Sequence, residues 1–314
     1  MADDAAVLSI LLPYRSPYHW PAILAFLAAR SVPAIESIAG GVYSRTMRIG
    51  TAHDPVAGIA TVRHEPDRQA LRVSLSPGLA RETAQALTRI GHLFDIDCIP
   101  QTIEAVLGDL AVSDPGLRLP GAVDPFEIVV RAILGQQITV AAARTLATRF
   151  VARFGEPLPA QSALTLGNES TSPPADPGLT HLFPQASTVA VLDAALLGEI
   201  GIIRARSQAI IEVSQALTAG TLHLDRGVNP QAGAAMDATL AALTSIRGIG
   251  PWTAHYVAMR SLGWADAFPP GDVVALKALQ AATPAAAVAL AERWRPWRAY
   301  ALLHLWRRSA ADVR

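Results

Sequence analysis

One cysteine, Cys98, in 314 residues leaves nothing to close a disulfide, a four-cysteine iron–sulfur cluster or a cysteine-rich zinc site. Neither sign of charge is in excess: 26 basic residues balance 26 acidic ones, so the basic surplus usual in a nucleic-acid binder is missing. No apolar run approaches the roughly 20 residues needed to cross a bilayer, and the opening "MADDAAVLSILLPY" is acidic where a secretory leader would be basic. The eight histidines show no HExxH-like spacing, and His304 lies in an apolar helical pattern where packing accounts for it. There is no glycine-rich nucleotide loop, serine–histidine–aspartate pattern, internal repeat or heptad. These absences predict a protein of the reducing cytoplasm that needs no metal, no cofactor and no membrane.

What is present is a folded chain, 51% hydrophobic and 17% charged, long enough for two or three domains. The first ~95 residues read as mixed structure. "PAILAFLAAR" has helical spacing, "GVYSRTMRIG", "VAGIATVRHE" and "ALRVSLS" are short, β-rich and separated by turns, and "GLARETAQALTRIGHLF" returns to helix. From about residue 101 strand signals stop. "VDPFEIVVRAIL" opens with Asp124 as N-cap, Pro125 at the first helical position and Glu127 placed to close a capping box. Helical patterns follow near 139–153, 187–199, 204–218, 234–246, 251–262, 273–281, 284–294 and 297–308. The expected class is α+β: a domain over residues 1–100 with a small antiparallel sheet and helices, then an all-α region over 101–314. A polar Ser/Pro-rich loop at about 157–180 should interrupt it. Charge is uneven along this chain. The C-terminal part carries Arg247, Arg260, Lys277, Arg293, Arg295, Arg298, Arg307, Arg308 and Arg314 against four acids, so a basic face on a neutral molecule is expected.

Two short stretches stand out. In "IRGIGPWTAHY" (246–256) an apolar helix stops at Gly248 and Pro251 suits the start of the next. Gly248-Ile249-Gly250 between them makes a turn that another backbone can approach closely, with Ile249 as its anchor to the core. Outward amides there and at Thr253 favour a phosphate, although a bare Gly-x-Gly is more often an ordinary turn. Trp252 and Tyr256, four apart, share one helical face. "ADAFPPGDVVALKAL" then places Asp272 after a Pro-Pro-Gly turn and before an apolar helix. An N-cap, worth about 1 kcal/mol, explains that aspartate; so does a rigid carboxylate at the mouth of a cleft, and the two roles are compatible.

The order helix, "IRGIGPWTA", helix, "FPPGD" resembles the helix-hairpin-helix DNA glycosylases of base excision repair. "LRLPGAVDPFEIVVRAILGQQITVAAARTLATRF" and "ERWRPWRAYALLHLWRR" are similar to the alkylation-repair branch of that superfamily, the 3-methyladenine DNA glycosylase II type. "PYHWPAILAFLAARSVPAIESI" and "LFDIDCIP" extend the likeness into the N-terminal domain. These motifs are specific in combination and weak singly.

The resemblance implies an enzyme that flips an alkylated purine such as 3-methyladenine or 7-methylguanine out of double-stranded DNA, acting as a monomer, and hydrolyses its N-glycosidic bond. Asp272 becomes the catalytic aspartate, stabilising an oxocarbenium-like sugar and positioning or deprotonating water. Trp252, Tyr256 and Trp306, with Phe26 from the N-terminal domain, become the wall of a pocket that attracts a cationic base at about 0.5–2 kcal/mol per contact. Gly248, Ile249, Gly250 and Thr253 become the hairpin that grips the DNA backbone. Related lyases carry a lysine two residues after the second hairpin glycine; Trp252 stands there, so no Schiff base forms and the abasic site stays uncut. The wedge that fills the emptied stack falls on Gln137, with Ile138 next, where the family has an apolar residue; polar turn residues are the plainer account of Gln136 and Gln137. Arg307 replaces an expected aromatic, which predicts a pocket wall that is either thinner or closer to phosphate, and Gly271 replaces a second acid. The alternative class is a non-catalytic helix-hairpin-helix DNA-binding or damage-sensing protein. Asp272 together with Trp252 and Tyr256 favours the enzyme, since a binder needs only hairpin and basic face. The same fold acting on oxidised or deaminated bases is a third reading, disfavoured by the aromatic wall and the missing lysine.

Overall fold

A computed structural model describes residues 7–50, 54–159, 178–224 and 233–311; most of the polar segment expected at 157–180 lies outside them. Five strands, β1 (Leu8–Pro13), β2 (Glu36–Ala39), β3 (Val42–Gly50), β4 (Pro55–Glu65) and β5 (Ala70–Leu75), form an antiparallel sheet in the order β1-β5-β4-β3-β2. β3, β4 and β5 are the three strands legible in sequence. β1 and β2 add an edge on each side, through pairings such as Ile10 with Val73 and Ser37 with Ser44. Helices α1 (Trp20–Arg30) and α2 (Thr83–Leu93) pack Ile23, Leu27, Ala86 and Ile90 against Tyr43, Met47, Val62 and Val73 in one core.

Period two along β3 puts Arg45 in the same row as Tyr43, Met47 and Ile49, and all four are buried. A guanidinium in an inward row is tolerable only when paired. Its partners are Glu127, at 2.7 Å, and Glu36, at 3.9 Å. Glu127 therefore does not close a capping box on Asp124 as its spacing predicts. Asp124 caps by accepting from the Phe126 N–H alone, at 2.9 Å, while Glu127 is drawn inward by Arg45 and Arg131.

The remaining helices are α3 (Pro100–Leu107), α4 (Pro125–Leu134), α5 (Val140–Phe154), α6 (Ala186–Val189), α7 (Ala194–Glu199), α8 (Arg204–Thr218), α9 (Gly233–Ser245), α10 (Pro251–Val257), α11 (Val273–Ala278), α12 (Pro284–Ala291) and α13 (Arg298–Ala311). The region is not wholly helical: β6 (Glu156–Pro157) and β7 (His181–Leu182) form a two-residue ladder, and the His181 carbonyl accepts from the Thr46 hydroxyl of β3 at 2.7 Å. The single helix expected over 187–199 is split into α6 and α7, because the Asp193 side chain caps the Ala195 amide at 2.8 Å and starts a new helix. α10 continues into a π-helical turn over Ala258–Leu262, which accounts for the longer helical pattern read there. Among the described residues, no helix is long and apolar enough to cross a membrane.

Two histidines sit inside this packing with an unpartnered Nδ1, His255 and His304. Burial lowers each from 6.5 to about 4; Arg298 adds to the effect at His255, while Asp114 opposes it at His304. A depressed folded-state pKa means full stability above pH 6.5, lost as pH falls toward 4, at a cost on the order of 2–3 kcal/mol for each ring. The melting temperature should therefore drop between pH 7 and pH 5. His304→Leu should flatten that drop, as a pH series of thermal melts will show.

Candidate active site

Asp272 heads α11. One oxygen accepts from the Ala275 amide at 2.9 Å, so the N-cap read from sequence is present. The carboxylate also receives two indole N–H groups: Trp252 Nε1 donates to Oδ2 at 3.1 Å and Trp306 Nε1 donates to Oδ1 at 3.0 Å. Gly271 before it has φ +78°, a left-handed turn open to glycine that swings the carboxylate inward. The residue is only 7% exposed, yet it lines a cleft of about 920 Å³. Three donors fix the carboxylate's position and orientation. The tryptophans therefore do more than wall the pocket, the role the sequence suggests for them.

Trp252 and Tyr256 stack at 5.2 Å between centroids and 9° between planes, and Tyr256 stands 6.4 Å from Trp306 at 44°. All three line the cleft. Phe26 does not: it packs beside Trp306 with Ala22, Leu117 and Leu303, and the Arg30 and Arg260 guanidiniums lie 3.8 Å and 4.9 Å from its ring centroid. Arg307 turns away to Asp114, 2.5 Å from Nε to Oδ1, and does not line the cleft.

Sequence reasoning passed over the arginines beyond the aromatic wall. Arg260, four residues after Tyr256, donates to its hydroxyl at 2.9 Å and to the Gly121 carbonyl at 3.1 Å. Arg131 bridges Glu127, at 2.5 Å, and Glu36, at 2.9 Å, and also bonds the Arg30 carbonyl. Burial would raise the Tyr256 phenol, but Arg260, Arg30 and Arg131 outweigh it and hold it below its ordinary value. The helical spacings Phe26–Arg30 and Tyr256–Arg260 were the available signal.

The hairpin joins α9 to α10. Gly248 adopts φ +93°, and Ile249 is buried against the helical core. Gly250 differs: its φ of −88° suits any residue, and an added Cβ would meet nothing within 4 Å. Nothing inside the protein requires a glycine there, so the open space faces outward. The first helical bond of α10 runs from Ala254 N–H to Gly250 O, leaving the amides before it outside the ladder. The Thr253 hydroxyl, in contrast, is turned inward, where it accepts from Gln136 Nε2 at 3.1 Å.

The same Gln136 side-chain amide donates to Gly248 O at 2.8 Å, and the Gln136 backbone carbonyl accepts from Arg206 on α8. The turn between α4 and α5 is thus clasped to the hairpin. Gln137, next in that turn, is exposed at φ +55°, and its side chain has no hydrogen-bond partner among the described residues. Ile138, Val140 and Val273, 36%, 45% and 77% exposed, give the cleft an apolar rim. The expected basic face is thinner than the sequence implied. Arg295 and Arg298 are spent on Asp266 and Glu292, and Arg307 on Asp114. Arg144 on the cleft, Arg204 at the start of α8 and Arg247 in the hairpin are exposed, with no ion pair among the described residues.

An antiparallel-sheet domain, followed by helices whose glycine hairpin stands beside a buried aspartate, defines a helix-hairpin-helix protein. The family model for the HhH-GPD superfamily of base excision DNA repair proteins matches residues 130–292, and that for the AlkA N-terminal domain matches residues 9–124. The chain belongs to the HhH-GPD superfamily. It is 36% identical over 296 residues to DNA-3-methyladenine glycosylase 2 of Escherichia coli (strain K12), covering 94% of this chain and 95% of that protein. It is 35% identical over 313 residues to the probable bifunctional transcriptional activator/DNA repair enzyme AlkA of Mycobacterium tuberculosis, covering 96% of this chain and 57% of that protein. Among solved structures, the 3-methyladenine DNA-glycosylase from Archaeoglobus fulgidus superposes with a TM-score of 0.72 at 21% identity, covering 94% of this chain and 96% of that one, which establishes the shared fold.

Proposed function

We propose that this member of the superfamily is a monofunctional DNA glycosylase that hydrolyses the N-glycosidic bond of alkylated purines in double-stranded DNA, acting as a monomer. The observation carrying this reading is the fixed carboxylate: Asp272 is held by two indole N–H groups at the edge of a cleft lined by those same rings. A purine methylated at N3 or N7 is already cationic. It leaves with the glycosidic electron pair and needs no strong acid, while the sugar becomes an oxocarbenium ion. Asp272 stabilises that cation in a low-dielectric site. Its remaining lone pair on Oδ2 can receive a proton from the water that adds to C1′. Trp252, Tyr256 and Trp306 supply electron-rich faces for the departing base. Seating a base between Tyr256 and Trp306 asks for roughly 7 Å, two carbon contact distances, so the observed 6.4 Å opens only slightly. Trp252 has no amine to form a Schiff base, so the strand stays intact.

The open backbone at Gly250 receives DNA, with Arg144, Arg204 and Arg247 as phosphate contacts. Gln137, with Ile138 beside it, fills the stack when the base leaves. The Gln136 clasp holds that wedge in register with the hairpin's grip, so Gln136→Leu should slow single-turnover base release about tenfold, the effect of a small misplacement. Affinity for undamaged duplex, measured in parallel, should stay unchanged.

The decisive assay incubates the protein with methylated duplex DNA and scores free bases by chromatography. Release of 3-methyladenine and 7-methylguanine with uncut strands supports the reading. Tight binding with no released base would make the protein a damage sensor, and strand cleavage without added alkali would contradict the monofunctional assignment.

A further inference from the structure

The cleft is polarised. At one end stands the Asp272 carboxylate; beyond the Trp252–Tyr256 stack lie guanidiniums. Of the three arginines around Tyr256, two are committed. Arg131 is paired with Glu36 and Glu127. Arg260 donates to the carbonyls of Pro120 and Gly121 and to the Tyr256 hydroxyl. Arg30 is different. It has no carboxylate partner among the described residues; it donates to the Phe26 carbonyl at 3.2 Å and also bonds the Tyr256 hydroxyl. Its guanidinium lies over the Phe26 ring at 3.8 Å, beside the Tyr256 hydroxyl, and lines the cleft. The Phe26 ring and carbonyl and the Tyr256 hydroxyl hold the planar fork in place, and of its five N–H donors some remain for the edge of a base in the cleft it lines.

Resting on the proposed function, we infer that Arg30 is a specificity-determining residue that reads position 6 of the flipped purine. With the sugar bond at Asp272 and the ring against the Trp252–Tyr256 stack, the edge remote from the sugar meets the arginine end. A 6-oxo group accepts from the guanidinium. A 6-amino group is itself a donor and leaves Arg30 unmatched, an arrangement that costs more than a missing contact. The aromatic wall tolerates any cationic purine, and Arg30 grades them, favouring alkylguanines over alkyladenines. Both substrate classes carry the same methyl-derived positive charge, so repulsion by the guanidinium cancels in the comparison.

The test measures single-turnover release of 7-methylguanine and 3-methyladenine in one digest of methylated duplex DNA, with wild type, Arg30→Met and Arg30→Lys. Methionine keeps an apolar stem over Phe26 and removes the donors. The expected result is a fall of about tenfold in the 7-methylguanine to 3-methyladenine ratio for Arg30→Met. Arg30→Lys should recover part of the ratio. A ratio unchanged while both rates fall together would assign Arg30 a structural role and overturn the inference, as would no change in either rate. Wild-type release of 3-methyladenine in the same tube reports on the function itself, so a failure confined to the ratio leaves that function standing. Absence of any wild-type release overturns both.

Discussion

Replacing Asp272 by asparagine should reduce base release from methylated DNA by about 10³-fold, at the upper end of what removing one preorganised electrostatic group costs, because the group removed here is a full charge. The substitution isolates that charge. Asparagine is as good an N-cap as aspartate, so α11 keeps its bond to the Ala275 amide at 2.9 Å. An amide has one oxygen, however, and Trp252 and Trp306 each donate to a different oxygen of the carboxylate. One indole N–H will face an NH₂ group and lose its acceptor, costing about 1–3 kcal/mol. The variant should thus melt slightly lower, bind DNA with affinity close to wild type and release almost no base. Chromatography of the released bases beside a binding isotherm separates these three effects. A variant with wild-type rates would show that the charge is not used.

The largest loss of stability is expected at Glu127, which is 2% exposed. Glu127→Ala leaves Arg45 and Arg131 sharing Glu36 alone, inside the core between β3 and α4. Breaking a buried pair by deleting one partner costs about 3–5 kcal/mol, since an uncompensated charge remains behind. The direction of the local pKa values agrees. Burial pushes the Glu36 carboxyl up, but Arg131 and Arg45 pull it further down, below the ordinary range, so Glu36 stays ionised between them. Disruption of the exposed pair Arg81–Asp54, by contrast, should cost under about 1 kcal/mol. Thermal melts of Glu127→Ala and Arg81→Ala, run together, test the contrast. The first variant should also lose activity, because Arg131 lines the cleft and bonds the Arg30 backbone.

The legible parts of this chain share one property: their cause lies within a few residues. α8 over 204–218 matches its expected span, three sheet strands are β-rich runs bounded by turn residues, and Asp272 caps its helix as a local reading requires. Features set by distant partners were misread or missed. Glu127 fits a capping box by spacing, but Arg45, 82 residues away, claims it. Arg307 looked like a missing pocket wall until Asp114, 193 residues away, took its side chain. Phe26 shares the right helix for the pocket, yet Arg30 one turn later interposes its guanidinium. The indole bonds to Asp272 span 20 and 34 residues, and no local pattern announces them. The hairpin glycines lie between these cases. The left-handed backbone at Gly248 is a local demand, whereas no contact among the described residues calls for a glycine at Gly250.

The account turns on one charge stabilising a cation that exists only in the transition state, and binding can test it without catalysis. Two duplexes, one carrying a neutral tetrahydrofuran abasic analogue and the other a pyrrolidine analogue with a positive charge near the anomeric position, are titrated with wild type and with Asp272→Asn. The account predicts that wild type prefers the cationic duplex by about 100-fold or more, as enzymes prefer transition-state mimics, and that the preference vanishes in the variant. Equal affinity of wild type for both duplexes, or a preference that survives the substitution, would contradict it.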